Sequence, residues 1–232
     1  SACGMAKEGD LFIAQDFHEL ADSPFISSPT LQHEEYEVSG TKFHIWFQGE
    51  VKPNWAKVQI DFERFTEAQI QAFGEFPVQE YHFLFQITTN GSYHGVEHTT
   101  STVCQLGPSY DVMGKKYVDL LGVSSHELYH TWNVKTLRPA DLQPYNYREE
   151  NYSRLGYIYE GVTTYMGDKF LYTSNVFDLD QYFKELGAYV ERHFHNGGRT
   201  NLSVAESSFD TWLDGYVQGI PHRKTSIYVE GC

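Results

Sequence analysis

His126-Glu127-Leu128-Tyr129-His130 sets two imidazoles and a carboxylate at the spacing that metal-assisted hydrolysis requires. An α-helix turns about 100° per residue, so positions four apart stack on one face. His126 and His130 can therefore present two nitrogens to one ion, at roughly 2.0–2.1 Å each. Glu127 sits one step round the helix. It is too far off to be a third ligand but well placed to take a proton from an activated water. In a chain of this His and Glu content, chance produces the pattern about 0.04 times. On their own these residues could still be the polar face of an amphipathic helix, so their neighbours carry the rest of the case.

Such a site needs a third protein ligand and a position left open for water. Glu160, in Gly156-Tyr-Ile-Tyr-Glu-Gly-Val-Thr-Thr-Tyr165, lies one helix further on, and the small Gly161 after it would allow close approach to a neighbouring helix. Glu149 and Glu150 also follow His130, at the end of a proline-containing loop where solvated acids are common. Residue types leave all three open, with the helical setting in favour of Glu160.

The elements that must position these groups can be read from periodicity and punctuation. Lys115 to Trp132 reads as the motif helix, with Val118, Leu121, Val123 and Leu128 as its apolar surface. Pro139 and Pro144 exclude regular helix over 133–150. Residues 151–173 and 178–194 read as helices, the second with Asp178 at its start, and the capping box Ser203-Val-Ala-Glu206 opens another through Leu213. Earlier in the chain, Thr41–Gln48 alternates like a half-buried strand. Tyr81–Thr89 is the clearest strand, stopped by Asn90-Gly91, and the Thr-rich run Glu97–Leu106 is another candidate. Trp55, Val58 and Phe62 keep helical spacing, and Thr66–Gly74 reads as a separate short helix with Thr66 near its cap and Gly74 at its end. Strands come first and helices later, which makes the class α+β.

Composition narrows the function. The chain has 232 residues, 41% hydrophobic and 16% aromatic, enough for one large domain or two small ones with a substantial core. A formal charge of −14 argues against a nucleic-acid partner, which requires clustered Lys and Arg. No apolar run approaches the ~18–20 residues of a membrane span, and the first residues carry no signal-peptide pattern. Cys3, Cys104 and Cys232 make neither a disulfide framework nor a C-x-x-C metal pair. Compartment and oligomeric state are left open by these residues.

The stretch His126-Glu-Leu-Tyr-His-Thr-Trp-Asn-Val-Lys-Thr-Leu-Arg-Pro139, with Tyr159-Glu-Gly-Val-Thr-Thr-Tyr165, closely resembles the glycyl aminopeptidase family of zinc peptidases. That resemblance implies a thermolysin-like α+β catalytic domain with a small mixed sheet, and one Zn2+ held by His126, His130 and Glu160, with Glu127 as the general base. His94-Gly-Val-Glu-His98 resembles the family's edge-strand motif, which implies that Glu97 holds the free α-amine of a peptide substrate. Ser226-Ile-Tyr-Val-Glu-Gly231 resembles the family's Ser-Tyr-Tyr-x-Lys-Gly, which would give Tyr228 the task of hydrogen-bonding the oxyanion. Two positions depart from that pattern: Ile227 replaces a Tyr and Glu230 a Lys. Asp16-Phe-His-Glu-Leu-Ala-Asp-Ser-Pro24 extends the likeness towards the start.

The resemblance further implies that residues 1–50 close an N-terminal β-rich domain and that 51–232 form the catalytic domain. The helical part would continue past Cys232 towards a PDZ-like domain outside this chain. The expected activity is removal of N-terminal residues from peptides. A thermolysin-like endopeptidase and a peptide-binding module with a vestigial site are the alternatives.

Overall fold

The computed structural model describes residues 4–214 and 224–232; Cys3 lies outside them. Its first elements are the short antiparallel pair β1 (Ala6–Glu8) and β2 (Leu11–Ile13), then α1 (Phe17–Ala21), whose N-cap Asp16 accepts from the Glu19 amide at 2.8 Å. The sheet that matters follows: β3 (Gln32–Val38), β4 (Thr41–Gln48), β5 (Glu80–Ile87), β6 (Ser92–Glu97) and β7 (Ser101–Gly107), in the order β3-β4-β5-β7-β6. The outer pairs β3–β4 and β6–β7 are antiparallel, and the inner pairs β4–β5 and β5–β7 parallel. Helix α2 (Trp55–Phe73) makes the crossover from β4 to β5.

Alternation explains which way the sheet faces. Phe43, Ile45 and Phe47 of β4 and Tyr81, Phe83 and Phe85 of β5 all point inward, where each is fully buried. They meet Val58, Phe62, Phe65 and Ile70 of α2, and Leu120, Leu121, Val123 and Leu128 of α4 (Tyr117–Tyr129). Burying each such side chain contributes about 1.5–3 kcal/mol, so this layer dominates the stability. After α3 (Ser109–Val112) and α4 come α5 (Val162–Thr173), α6 (Leu179–His195), α7 (Val204–Phe209) and α8 (Thr211–Asp214). The class is α+β, as the order of elements implies. No helix among the described residues is long and apolar enough to cross a membrane. The division expected near residue 50 falls inside the sheet layer, because β4 before it pairs directly with β5 after it.

Several elements differ in detail from their sequence reading. The helix expected at 66–74 is the second half of a single α2. Thr66 is not a cap but a buried mid-helix residue whose hydroxyl meets Tyr36 Oη at 2.9 Å. The run 97–106 is two strands joined by a turn: Glu97 ends β6, and the His98 amide closes onto Ser101 O at 2.8 Å. Threonines suit strands on both sides of that turn, which hid it. Residues 151–155 are irregular, and the helix expected to begin at 151 opens at Gly156 with a wide turn over Tyr157–Gly161. Gly74, Asp178 and the Ser203–Glu206 capping box all terminate or open their helices as read.

Candidate metal centre

His126 and Glu127 occupy the last turn of α4, and His130 is the residue at its C-cap. Their placement follows from what α4 packs against. Ser125, just before the motif, accepts from Gln69 Nε2 of α2 at 3.0 Å and donates to Gly167 O of α5 at 2.8 Å. Gly167 is where α5 crosses α4: a Cβ there would come within 3.2 Å of the His126 backbone. The glycine that lets the two helices touch is therefore Gly167. Gly161, which the sequence offered for that task, instead abuts the backbone of Gly231, and a Cβ on either would overlap the other segment.

The donor atoms converge. His126 Nε2 and His130 Nε2 face each other at 3.0 Å, and Glu160 Oε2 lies 3.4 Å from the first and 3.5 Å from the second. His130 Nδ1 lies 2.8 Å from Asn133 O and must donate its proton there, which leaves the Nε2 lone pair for the site. Asn133 is able to supply that carbonyl because the chain kinks at it (φ −115°, ψ 79°). Its side chain then donates to Ile158 O at 3.1 Å and Thr163 Oγ1 at 3.2 Å, tying the end of the motif helix to the Glu160 turn. Trp132 anchors the same exit, stacked on Phe73 at 4.4 Å and donating to Glu75 O at 3.1 Å.

Glu127 is 4% exposed, and its Oε2 has no hydrogen-bond partner. Its carboxylate lies against β6 at Gly95, in space that a Cβ on Gly95 would fill. Glu97, at the end of the same edge strand, brings a carboxylate oxygen to within 4.8 Å of donor atoms of both Glu127 and His130. Three acids thus surround two imidazoles in a buried space. Burial pushes the Glu127 carboxyl up to about 8, with Glu97 and Glu160 adding to the shift. Burial works against charge on His130, but Glu97, Glu160 and Glu127 raise its pKa to about 10, so an ion that takes the Nε2 lone pair must displace a proton from it. Burial also opposes charge on Glu160, yet His130 and His126 keep it down at about 2. The cluster has a deficit of positive charge. Two imidazole nitrogens and one carboxylate oxygen, with the unpartnered Glu127 Oε2 beside them, are a donor set that fits zinc.

Tyr228 is half-buried in the turn 226–231, whose Gly231 packs on Gly161 at the foot of the Glu160 turn. Glu230, where the resemblance expects Lys, is buried and lies 3.6 Å from His193 Nδ1 on α6, which gives the substituted acid a partner. Glu149 stays on the surface, accepting from Asn146 Nδ2 at 2.7 Å. Glu150 is also exposed, and among the described residues Glu160 alone of the three acids joins the histidines in a metal-holding group.

Asp22 has no role in the sequence reading, yet it braces this region. It accepts from Lys135 Nζ at 2.8 Å, His98 Nδ1 at 3.3 Å and the Thr99 amide at 2.9 Å. The end of the Glu97 strand and the segment after His130 are thereby held to one carboxylate, 14% exposed, against a lysine only 7% exposed. No local pattern marks it. Asp22 lies over a hundred residues from Lys135 along the chain.

Comparison with known proteins fits this geometry. Residues 119–232 match the model of a peptidase family described as M61 glycyl aminopeptidase. The whole chain superposes on the crystal structure of an aminopeptidase N family protein from Idiomarina loihiensis with a TM-score of 0.90 and 32% identity, covering 100% of this chain and 41% of that one. A looser likeness, TM-score 0.45 at 14% identity, is to an M1 zinc metallopeptidase from Deinococcus radiodurans, covering 84% of this chain and 46% of that one. No curated protein matches. Fold and matches together set the class of protein that the chain resembles: peptidases of the aminopeptidase type. The particular family they support for the chain is the glycyl aminopeptidase family, and the chain spans 41% of the length of its first structural relative.

Proposed function

We propose that this chain carries the catalytic centre of a zinc-dependent aminopeptidase, with His126, His130 and Glu160 as the ligands of a single Zn2+. The observation that carries the reading is the convergence of Glu97 with Glu127 and His130. Glu97 is needed neither as a ligand nor for proton transfer, and an edge-strand carboxylate beside the reacting groups suits a substrate ammonium. A bound zinc ion would polarise the scissile carbonyl and make a water more acidic.

The residues of the chain would do the rest. Glu127 Oε2, unpartnered and buried, accepts a proton from the attacking water and returns it to the leaving amine. Glu97 accepts hydrogen bonds from the α-ammonium and so fixes the scissile bond one residue from the peptide's start. Tyr228 donates its O–H to the oxyanion as it forms. Asn133 and Asp22 hold these groups in register through the bonds described above.

Glu127→Gln tests the reading, because it preserves shape but removes the proton acceptor. The expected result is near-stoichiometric zinc by metal analysis and turnover of an aminoacyl reporter reduced by at least 10²-fold. Full activity in zinc-loaded Glu127→Gln would overturn the mechanism. Cleavage of an N-acetylated peptide as fast as the free peptide would overturn the role of Glu97 and point to an endopeptidase. Failure to bind zinc at any supplementation would favour a peptide-binding module.

A further inference from the structure

The face of the sheet turned away from α2 and α4 carries a second gathering of imidazoles and carboxylates. Cross-strand register sets His33 of β3 opposite Trp46, Glu35 opposite His44, and His44 opposite His82 of β5. Their neighbours Tyr36, Phe43, Ile45, Tyr81 and Phe83 fill the core on the other side. His33 Nε2 and His44 Nδ1 face each other at 2.9 Å, and Glu35 Oε2 lies 3.6 Å from His44 Nδ1. At the candidate catalytic centre the corresponding separations are 3.0 Å between nitrogens and 3.4–3.5 Å to the carboxylate. The donor pattern is nearly the same.

The surroundings prepare these donors for an ion. Glu80 Oε1 stands 2.8 Å from His44 Nε2 without hydrogen-bond alignment, and its negative charge there favours a proton on that nitrogen over Nδ1, which faces His33. His82 plays a different part. Trp46 Nε1 donates to its Nδ1 at 3.2 Å, so its proton sits on Nε2, 3.4 Å from Glu80 Oε1, and it holds Glu80 rather than a metal. Lys42 Nζ lies 4.0 Å from Glu35 Oε1. Two facing nitrogens that can share only one proton need to open to about 3.3 Å to grip a tetrahedral ion. His33 is exposed on edge strand β3 and free to make that adjustment.

We propose that His33, Glu35 and His44 form a second site for a borderline divalent transition ion, zinc or copper, on the sheet face opposite the candidate catalytic centre. Nitrogen and carboxylate donors in this number select that class over calcium or magnesium. The ion would clip β3 to β4 and so secure an edge of the sheet.

The test compares the intact chain with a His33→Ala/Glu35→Gln double variant. Both residues are exposed, so folding is expected to survive, and far-UV circular dichroism checks it. Equilibrium dialysis against zinc followed by metal analysis should give one ion fewer per chain for the variant. The difference between the two chains is the readout, so a catalytic centre that bound nothing would leave it intact. In copper-loaded intact chain, electron paramagnetic resonance should show coupling to imidazole nitrogens that weakens in the variant. A folded His33→Ala/Glu35→Gln chain with unchanged zinc stoichiometry and an unchanged copper spectrum would overturn the proposal, as would an intact chain that takes up no ion at this face at micromolar zinc or copper.

Discussion

Replacing Gly95 would separate the position of Glu127 from the integrity of the fold. Gly95 lies in β6 opposite Cys104 of β7, and a Cβ built on it would overlap Glu127 Oε1 and stand 2.6 Å from Glu127 Cδ and 2.9 Å from Cγ. Carbon atoms settle at about 3.5–4.0 Å, so Gly95→Ala must push the Glu127 carboxylate aside by about 1 Å. The strand can accept the methyl group: Gly95 has no left-handed backbone angle, and Ala inside a strand is favoured over Gly by about 0.5–1 kcal/mol. The three atoms nearest that Cβ all belong to the outer part of the Glu127 side chain.

Zinc content and unfolding temperature should therefore stay close to those of the parent chain. A reacting group misplaced by 1 Å costs on the order of 10²-fold in rate, or about 2.7 kcal/mol of transition-state stabilisation. The assay is kcat and KM on an aminoacyl reporter, with metal analysis and thermal unfolding run on the same samples. Gly91→Ala, where a Cβ meets nothing within 4 Å, is the control. A zinc-loaded Gly95→Ala chain with undiminished kcat would refute the role given to Glu127. Loss of zinc or of the fold would refute the claim that Gly95 acts only through that carboxylate.

Two further substitutions test the scaffold. Burial opposes charge on Asp22, but His98 and Lys135 hold its carboxyl well below its ordinary 3.8, so its stabilisation is present above that pH and lost as pH falls. Asp22→Asn should cost about 3–5 kcal/mol in urea unfolding at pH 7 by stranding a buried Lys135, and Lys135→Met in the same chain should recover part of it; no recovery would show that the pair is not the cause. Burial, reinforced by Glu185, lifts Asp168 to about 7, while Tyr189 Oη donates to it at 2.9 Å. A raised carboxyl contributes stability present below 3.8 and lost as pH rises through about 7, at up to roughly 1.4 kcal/mol per pH unit. Asp168→Asn keeps the acceptor and should flatten that decline between pH 5 and pH 8, whereas parallel pH profiles would count against it.

What could be read in the sequence was local in origin. The i, i+4 histidines, the Gly74 stop and the Ser203–Glu206 box depend on neighbours within one helical turn, and periodicity reveals them. Gly167, Asn133 and Asp22 act across long separations, where a glycine, an amide or an acid carries no mark of its partner. Gly161 illustrates the difficulty: its smallness was legible, but its partner, Gly231, depends on how the turn at 226–231 packs. The outer-face imidazoles were equally hidden, because only the register of β3, β4 and β5 brings His33, His44 and His82 into line.

The candidate centre is set by backbone approaches at which a Cβ would intrude: Gly95 on Glu127, Gly167 on His126, and Gly161 on Gly231. Each fixes one element against another to less than the width of a methyl group, the precision that reacting groups require. The enclosure so formed holds the carboxylates of Glu97, Glu127 and Glu160 together, three negative charges if all are ionised, which is costly in a buried space. A dication cancels two of them and the α-ammonium of a free peptide cancels the third. An N-acetylated peptide supplies no such charge and leaves one carboxylate buried without a counter-ion. On the proposed function, selectivity for a free N-terminus would come from the charge balance of the whole site as well as from the single contact with Glu97. Glu97→Gln should therefore reduce the preference for free over acetylated peptides mainly by slowing cleavage of the free peptide.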